Sequence, residues 1–192
     1  MKSKILSSIK HNLHKLLNYS IYVIYKFDDI NKTNSQSGSG YDFQIISRDD
    51  LVNSTHDIST QAWYSGEEAI VFACIIDQKI VSICAYWYGS RYKNRNFWPL
   101  KKYEAKLVQL FTLPENRGQG IASELIRYSS EAMLEMRFTK LYSRVWHSNY
   151  PSRKAFENNK WTAIAIVFEL KPFTKYRPLR FSVNLRGKKS RT

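Results

Sequence analysis

Alternating and periodic apolar positions divide this chain of 192 residues into strands and helices. Short runs rich in Val, Ile, Tyr and Phe are typical of strands, while apolar residues three and four positions apart are typical of helices. Residues 77–79 separate two such runs and predict a hairpin. The order predicts an α/β fold, a mixed αβ sheet with helices between the later strands. The predicted strands are 19–27, 42–46, 69–76, 80–88, 105–113, 140–146, 162–170 and 180–185, and the predicted helices are 3–18, 48–63, 120–137 and 151–158.

The first predicted helix is amphipathic and basic. A helix of this kind packs its apolar side on its own domain or on a second copy in a homodimer, or it lies in an anionic membrane interface. No apolar stretch reaches the length of a membrane span or fits a signal peptide. Its apolar side consists of Ile5, Leu6, Ile9, Leu13, Leu16 and Leu17, and its polar side of Lys2, Lys10, His11, His14 and Lys15.

Composition divides the chain into three parts. Residues 1–41 comprise the helix, the first strand and a polar linker, residues 42–170 the main domain, and residues 171–192 a basic C-terminal extension. The net charge of +14 is concentrated at the two ends, which contain lysine and arginine and few acids. Basic ends indicate an anionic membrane surface, nucleic acid or an anionic substrate as partner, or a solvated tail that keeps the protein soluble.

Cysteine and histidine usage argues against a metal or a disulfide framework. Cys74 and Cys84 both lie in apolar, strand-like runs, which is typical of buried thiols in a reducing compartment. The four histidines do not cluster in the sequence. We therefore expect no metal and a cytoplasmic protein, with peripheral membrane contact as the alternative.

A glycine-containing turn between the predicted strand 105–113 and the predicted helix 120–137 is the strongest chemical signal. Gly118 and Gly120 are two of only seven glycines. Backbone amides at such a turn, together with the positive end of a helix dipole, form an anion site. A loop that merely turns is the alternative. The lysine-containing P-loop and the three-glycine dinucleotide fingerprint are both absent from the sequence.

What remains is the pattern Arg/Gln-x-x-Gly-x-Gly/Ala, formed by Arg117, Gly120 and Ala122. It resembles the acetyl-CoA motif of the GNAT acetyltransferase superfamily. The resemblance extends upstream to the pair Pro114-Glu115 and downstream to Asn149, Ser152, Phe156 and Lys160-Trp161, which are similar to an Asn-x-x-Ala/Ser, aromatic and Gly-Phe series. It covers about residues 107–167 in detail.

The resemblance implies a GNAT-like acyl-CoA N-acyltransferase fold, here with an extra N-terminal amphipathic helix, and acetyl-CoA as co-substrate. It also implies that the strand before the glycines binds the pantetheine arm and that the loop holds the pyrophosphate. The implied cofactor-binding residues are Phe111, Thr112, Leu113, Arg117, Gly118, Gln119, Gly120, Ile121, Ala122, Asn149, Ser152 and Phe156.

Two positions depart from the family pattern. Phe156 stands where many members carry a tyrosine thought to protonate the departing thiolate, and Lys160 replaces a customary glycine. Because Phe156 has no proton to give, Tyr150 and His147 are the candidate acids, with a packing aromatic and a capping or core histidine as alternatives. Glu104 is the candidate base, with a plain surface carboxylate as the alternative. The thiolate of a thiol with a pKa of about 8.5 can also leave without help.

The main functional hypothesis is an N-acetyltransferase that moves an acetyl group from acetyl-CoA to a primary amine. The aromatic and basic stretch 89–100 offers rings and positive charges, which favours an amino sugar or sugar nucleotide as small-molecule substrate. One alternative is an acetyltransferase acting on RNA or protein through the basic ends. The other is a catalytically weak acyl-CoA-binding module, which Phe156 would explain.

Overall fold

A computed structural model describes residues 18–28, 40–171 and 179–185. The predicted helix 3–18, the linker at 29–39 and most of the basic extension lie outside these ranges. The strands are β1 (Asn18–Asp28), β2 (Asp42–Ile46), β3 (Ala69–Ile76), β4 (Lys79–Trp87), β5 (Glu104–Thr112), β6 (Lys140–Trp146), β7 (Thr162–Lys171) and β8 (Leu179–Asn184). The α-helices are α1 (Arg48–Val52), α2 (His56–Ser59), α3 (Ile121–Glu135) and α4 (Tyr150–Asn158).

The eight strands form one mixed sheet in the order β2-β3-β4-β5-β6-β1-β7-β8. Only the β5–β6 pair is parallel among these strands, and all other neighbours are antiparallel. The parallel pairing runs from Glu104 opposite Lys140 to Leu107 opposite Ser143 and stops there. Since both strands continue beyond that point, a split opens between them.

β1 lies in the middle of the sheet although it comes from the N-terminal part of the chain. It pairs with β6 on one side and with β7 on the other. Its side chains Tyr22, Val23, Ile24, Tyr25 and Phe27 are all buried. A strand covered on both faces must be apolar on both faces, which explains why this run shows little alternation.

Helices cover both faces of the sheet. On one face, Ile83 and Trp87 of β4 belong to an apolar cluster with Leu51 of α1 and Ile58 of α2. On the other face, side chains of the same strands pack with α3 and α4 in a second cluster, which includes Phe72, Tyr86, Leu125, Ile126 and Phe156.

The predicted strands and the mixed α/β architecture are confirmed, and β2 and β6 have the predicted bounds. The predicted single helix 48–63 is wrong. Ser47 and Asp50 form a capping box that starts α1, but the amide of Ser54 turns back to the Leu51 carbonyl and the helix ends. The chain then forms α2 and a separate 3₁₀ turn, Thr60–Tyr64.

Candidate active site

The glycine loop connects the end of β5 to the start of α3. Gly118 and Gly120 have φ values of 79° and 81°, in the left-handed region, where residues with a Cβ are strained. A Cβ added at either glycine would meet no atom within 4 Å. The backbone conformation, and not crowding by protein atoms, therefore favours glycine here, and the space above the loop is open.

The backbone amides of residues 118–122 have no hydrogen-bond acceptor among the residues described. Gly120 is the N-cap of α3 and receives no side-chain cap. The loop is instead held through its carbonyls and its neighbours. Arg117 Nε donates to the Thr112 carbonyl at 3.1 Å, and the Tyr41 hydroxyl donates to the Gln119 carbonyl at 3.0 Å. The loop is thus fixed while its positive side remains uncapped.

A cavity of about 490 Å³, here called the loop cavity, lies above these amides. The end of β5, the glycine loop and the start of α4 form its walls. Of the predicted cofactor residues, Leu113, Gln119 and Phe156 do not line it: the Leu113 amide donates to the Val81 carbonyl, and the Gln119 side chain turns to the Glu115 carbonyl. The predicted residues that do line it are Phe111, Thr112, Arg117, Gly118, Gly120, Ile121, Ala122, Asn149 and Ser152.

A second cavity of about 180 Å³, here called the split cavity, occupies the gap between β5 and β6. Phe156 lines it from the side of α4, and Phe97 lines it from the opposite face of the sheet. It therefore passes through the sheet. Leu110, Asn149 and Ser152 line both cavities, so the two spaces meet at these residues.

Asn149 is placed at this junction by its role at the start of α4. Its Oδ1 accepts a hydrogen bond from the Ser152 amide at 3.2 Å and caps the helix. The side-chain amide of Asn149 has no hydrogen-bond partner within the described part of the chain and is available as a donor. Asn149 and Ser152 therefore line the same cavity as the glycine loop, and their predicted role in binding the cofactor stays a prediction.

Glu104 is not brought to either cavity. It starts β5, while the glycine loop follows the other end of that strand, roughly 26 Å away at about 3.3 Å per residue. Its buried carboxylate accepts from the Lys101 amide at 2.8 Å and lies 3.8 Å from Lys140 Nζ. This placement gives Glu104 a structural role and does not support its assignment as the base.

His147 and Tyr150 flank Asn149 in the connection from β6 to α4, and both are exposed. The backbone of His147 is fixed by Ile21 and by Arg153, while the Tyr150 ring lies 5.8 Å from the Arg153 guanidinium. Neither residue lines a cavity. The walls formed by described residues contain no carboxylate and no imidazole.

The arginines of the stretch 89–100 hold that stretch to the sheet. Arg91 lies over the Trp87 ring at 4.8 Å and donates to the carbonyls of Trp63, Ser65 and Glu67. Arg95 donates to the Val108 carbonyl. Their donors therefore serve the fold, which weakens the expectation that this stretch binds a phosphate.

Two charged residues that sequence reasoning missed lie near the split. Lys106 is fully buried in β5, its Nζ donates to the Arg95 carbonyl at 3.2 Å, and burial, with the charges of Arg144 and Arg180, lowers its pKa to about 7. Arg144 of β6 lines the split cavity, 5.5 Å from the Phe97 ring. A lone basic residue inside an apolar strand was the available signal for each.

The model of the acetyltransferase (GNAT) family matches residues 41–160. The chain belongs to this family. The match supports the resemblance drawn from the glycine loop, and it begins after β1 and ends before β7.

Solved structures show the same GNAT fold. A protein from Novosphingobium aromaticivorans DSM 12444 that is assigned to the GNAT acetyltransferases is similar with a TM-score of 0.58 and 15% identity, over 78% of this chain and 62% of that one. A GNAT-family acetyltransferase from Colwellia psychrerythraea is similar with a TM-score of 0.55 and 16% identity, over 76% of this chain and 53% of that one. A conserved protein of unknown function from Staphylococcus epidermidis ATCC 12228 is similar with a TM-score of 0.57 and 9% identity, over 85% of this chain and 66% of that one. The chain thus spans less than two thirds of these structures. No curated protein matches the sequence.

Both departures from the GNAT pattern have a visible structural basis. Phe156 is buried, stacks on Tyr25 at 5.6 Å and meets Trp161 edge-on at 5.0 Å, so it serves the core as well as the split. Lys160 has a φ of 63°, the left-handed conformation that suits glycine, so the turn is kept in spite of the side chain.

Two further observations concern metals and membranes. The described residues contain no group of three or more His, Cys, Asp or Glu side chains that could hold a metal ion. None of the helices within the described ranges is long and apolar enough to cross a membrane. The expectations of a metal-free site, a cytoplasmic location and a homodimer stay predictions.

Proposed function

We propose that this chain is an N-acetyltransferase that transfers an acetyl group from acetyl-CoA to the primary amine of a small molecule. Membership of the GNAT family supports the general reaction. One observation carries the donor site: Gly118, Gly120, Ile121 and Ala122 line a cavity at the start of a helix, and their amides lack acceptors in the described structure. Such amides bind anions, and a charge-assisted hydrogen bond contributes about 1.5–3 kcal/mol.

The diphosphate of acetyl-CoA would accept hydrogen bonds from the glycine loop. The pantetheine arm would then run along the edge of β5 from Thr112 to Leu110, where β6 has diverged. This path brings the thioester to the junction of the two cavities, beside Asn149 and Ser152.

The amine would reach the thioester from the split cavity. Its lone pair attacks the carbonyl carbon, the C–S bond breaks, and the amine loses a proton as the thiolate leaves. A backbone amide at the free edge of β5, or the Asn149 side-chain amide, would stabilise the oxyanion, a contribution of about 2.7–4 kcal/mol in other enzymes. Since the described walls hold no acid or base, Tyr150 or His147 would act through water, or the thiolate would leave unaided.

The dimensions of the split cavity favour a small acceptor. A volume of about 180 Å³ suits part of a small molecule, and the exposed ring of Trp146 lines its wall. An amino sugar or a sugar nucleotide is the acceptor class we propose, because an aromatic ring at the wall favours a ring-shaped substrate.

Gly120→Glu tests the donor site. The carboxylate would enter the space above the amides, so we expect the affinity for acetyl-CoA, measured by calorimetry, to fall by about a hundredfold or more. Gly120→Ala is the matched control, because it carries the same left-handed strain without the charge and should lose less affinity. Unchanged affinity in Gly120→Glu would contradict the donor site.

Release of free CoA provides the assay of turnover. The protein's own thiols will not contribute to the signal, because Cys74 and Cys84 are buried and burial raises their pKa values to about 11 and about 12. A panel of primary amines and amino sugars, with and without the protein, therefore gives a clean test of transfer. Binding of acetyl-CoA without release on any acceptor would favour the binding-module alternative.

A further inference from the structure

The wall of the split cavity that faces away from α4 is built around positive charge. Arg144 and Arg95 line the cavity, and Lys106 lies behind them, bonded to the Arg95 carbonyl. Arg180 of β8 reaches the same region, since its Nη1 donates to the carbonyl of Asn96, next to Phe97, at 2.8 Å, and its charge helps to lower the pKa of Lys106. Four basic residues thus gather on one face of the sheet, beside the gap between β5 and β6.

The acids nearby balance only part of this charge, because, of the described basic residues, Glu169 forms an ion pair with Arg180 alone. Glu169 is buried and accepts from Arg180 Nε at 2.7 Å and from the Tyr22 hydroxyl at 3.5 Å. No carboxylate from the described residues lines the split cavity or forms an ion pair with Arg144. The guanidinium of Arg144 lies instead against two rings, 4.9 Å from Tyr22 and 5.5 Å from Phe97.

The acceptor that best complements this wall carries a negative charge. We propose that the acetyl acceptor is a small amine that also bears a phosphate or carboxylate group, and that Arg144 binds this anionic group in the split cavity. This inference rests on the proposed function, because the position of the acceptor is inferred from the proposed position of acetyl-CoA. The amine would point to the junction at Asn149, and the anion to the β6 wall.

The state of Lys106 supports the assignment. Burial, and then the positive charges of Arg144 and Arg180, lower its pKa to about 7, so Arg144 stands near a second cationic group. An anion beside Arg144 would relieve this repulsion as well as pair with the guanidinium. Arg95 contributes charge but not free donors, since its Nη atoms are engaged by the Val108 carbonyl and the Tyr64 hydroxyl.

Matched pairs of acceptors test the inference by CoA release. Ethanolamine is compared with phosphoethanolamine, glucosamine with glucosamine 6-phosphate, and tryptamine with tryptophan, so that phosphate and carboxylate are separated. The readout is the ratio of kcat/KM for the two members of each pair. We expect the anionic member to be favoured by about tenfold or more in at least one pair, the effect of one charge-assisted contact.

Three variants assign that preference to a residue. Arg144→Gln should abolish the ratio, and Arg144→Lys should keep part of it, because the charge remains but the planar fork is lost. Lys154→Gln removes one positive charge from an exposed position of α4 and should leave the ratio unchanged. Thermal unfolding of each variant checks that the fold survives. A ratio that persists in Arg144→Gln, or the absence of a preference for the anionic member in every pair, would overturn the inference.

A binding measurement covers the case in which no acceptor of the panel is turned over. With the donor site saturated with CoA, inorganic phosphate is titrated into the wild type and Arg144→Gln. Saturable binding that Arg144→Gln loses supports the inference, and no binding, or equal binding to both proteins, contradicts it. Failure of acetyl-CoA to bind at all would instead contradict the proposed function, and the inference with it.

Discussion

Lys106 is a buried ammonium group that lowers the stability of the protein at neutral pH. Its ordinary pKa of 10.5 falls to about 7 in the fold, so between these values the unfolded chain holds a proton that the folded protein does not. Stability therefore rises as the pH increases through this window, and the penalty is fully present below about pH 7. Since one pKa unit corresponds to about 1.4 kcal/mol, the total is on the order of a few kcal/mol.

Lys106→Met should remove this pH dependence. The apolar side chain has a similar length and retains contact with the rings of Tyr92 and Phe97. We expect the variant to unfold at higher denaturant concentration than the wild type at pH 6, and at a similar one near pH 10. Urea titrations at several pH values measure this. A parallel pH profile for the two proteins would contradict the assignment of the buried charge.

Lys160 occupies a backbone conformation that costs a residue with a Cβ about 1–2 kcal/mol. Lys160→Gly should therefore stabilise the protein by roughly 1 kcal/mol in denaturant unfolding. Lys154→Gly, in the middle of α4, is the control. It should destabilise the protein by a similar amount, because glycine in a helix interior loses more backbone freedom on folding than lysine does. Destabilisation by both substitutions would show that Lys160 contributes contacts that outweigh its strain.

Nine of the predicted cofactor residues line the loop cavity, whereas the predicted proton-transfer residues line neither cavity. The glycine loop and Asn149 were predictable because each belongs to a local pattern next to a helix start. Glu104 lies at the start of β5, at the opposite end of the strand from the glycine loop, and its role as the base stays a prediction. Lys106 and Arg144 were missed because only the pairing of β5 with β6 brings them to one wall.

At the scale of elements, β1 is the main departure from what local pattern can predict. Its strand character and bounds were nearly correct, since a run of Ile, Val and Tyr needs no partner to be recognised. Its position between β6 and β7 was not predictable, because these partners are distant in sequence and periodicity says nothing of strand order. The prediction of one helix over 48–63 was wrong for the opposite reason. The apolar periodicity continues through this range, while α1 already ends at its C-cap, Asn53.

The central position of β1 predicts a large cost for truncating its side chains. Ile24 is fully buried, and Ile24→Ala should destabilise the protein by about 2–5 kcal/mol in denaturant unfolding. Val183, on the edge strand β8, is 66% exposed, and Val183→Ala should change stability by at most about 0.5 kcal/mol. Similar effects of the two substitutions would mean that β1 does not contribute to the cooperative core.

At the scale of the whole molecule, the candidate site lies on a seam in the sheet. On one side of the seam are β2 to β5, and on the other are β6, β1, β7 and β8. The seam opens where the only parallel pair of the described strands stops pairing, and both cavities meet there. The loop cavity is lined by the end of β5, the glycine loop and the start of α4, while the split cavity is lined by β5 and β6, one strand from each side of the seam.

The sheet order also bears on synthesis at the ribosome. β1 is translated before its two partners, whose paired residues begin only at positions 140 and 162. At typical elongation rates a strand that is apolar on both faces must wait on the order of ten seconds for a neighbour. During that interval β1 can be bound by chaperones that recognise extended apolar segments. Expression of this protein should therefore depend on such chaperones more than its size suggests.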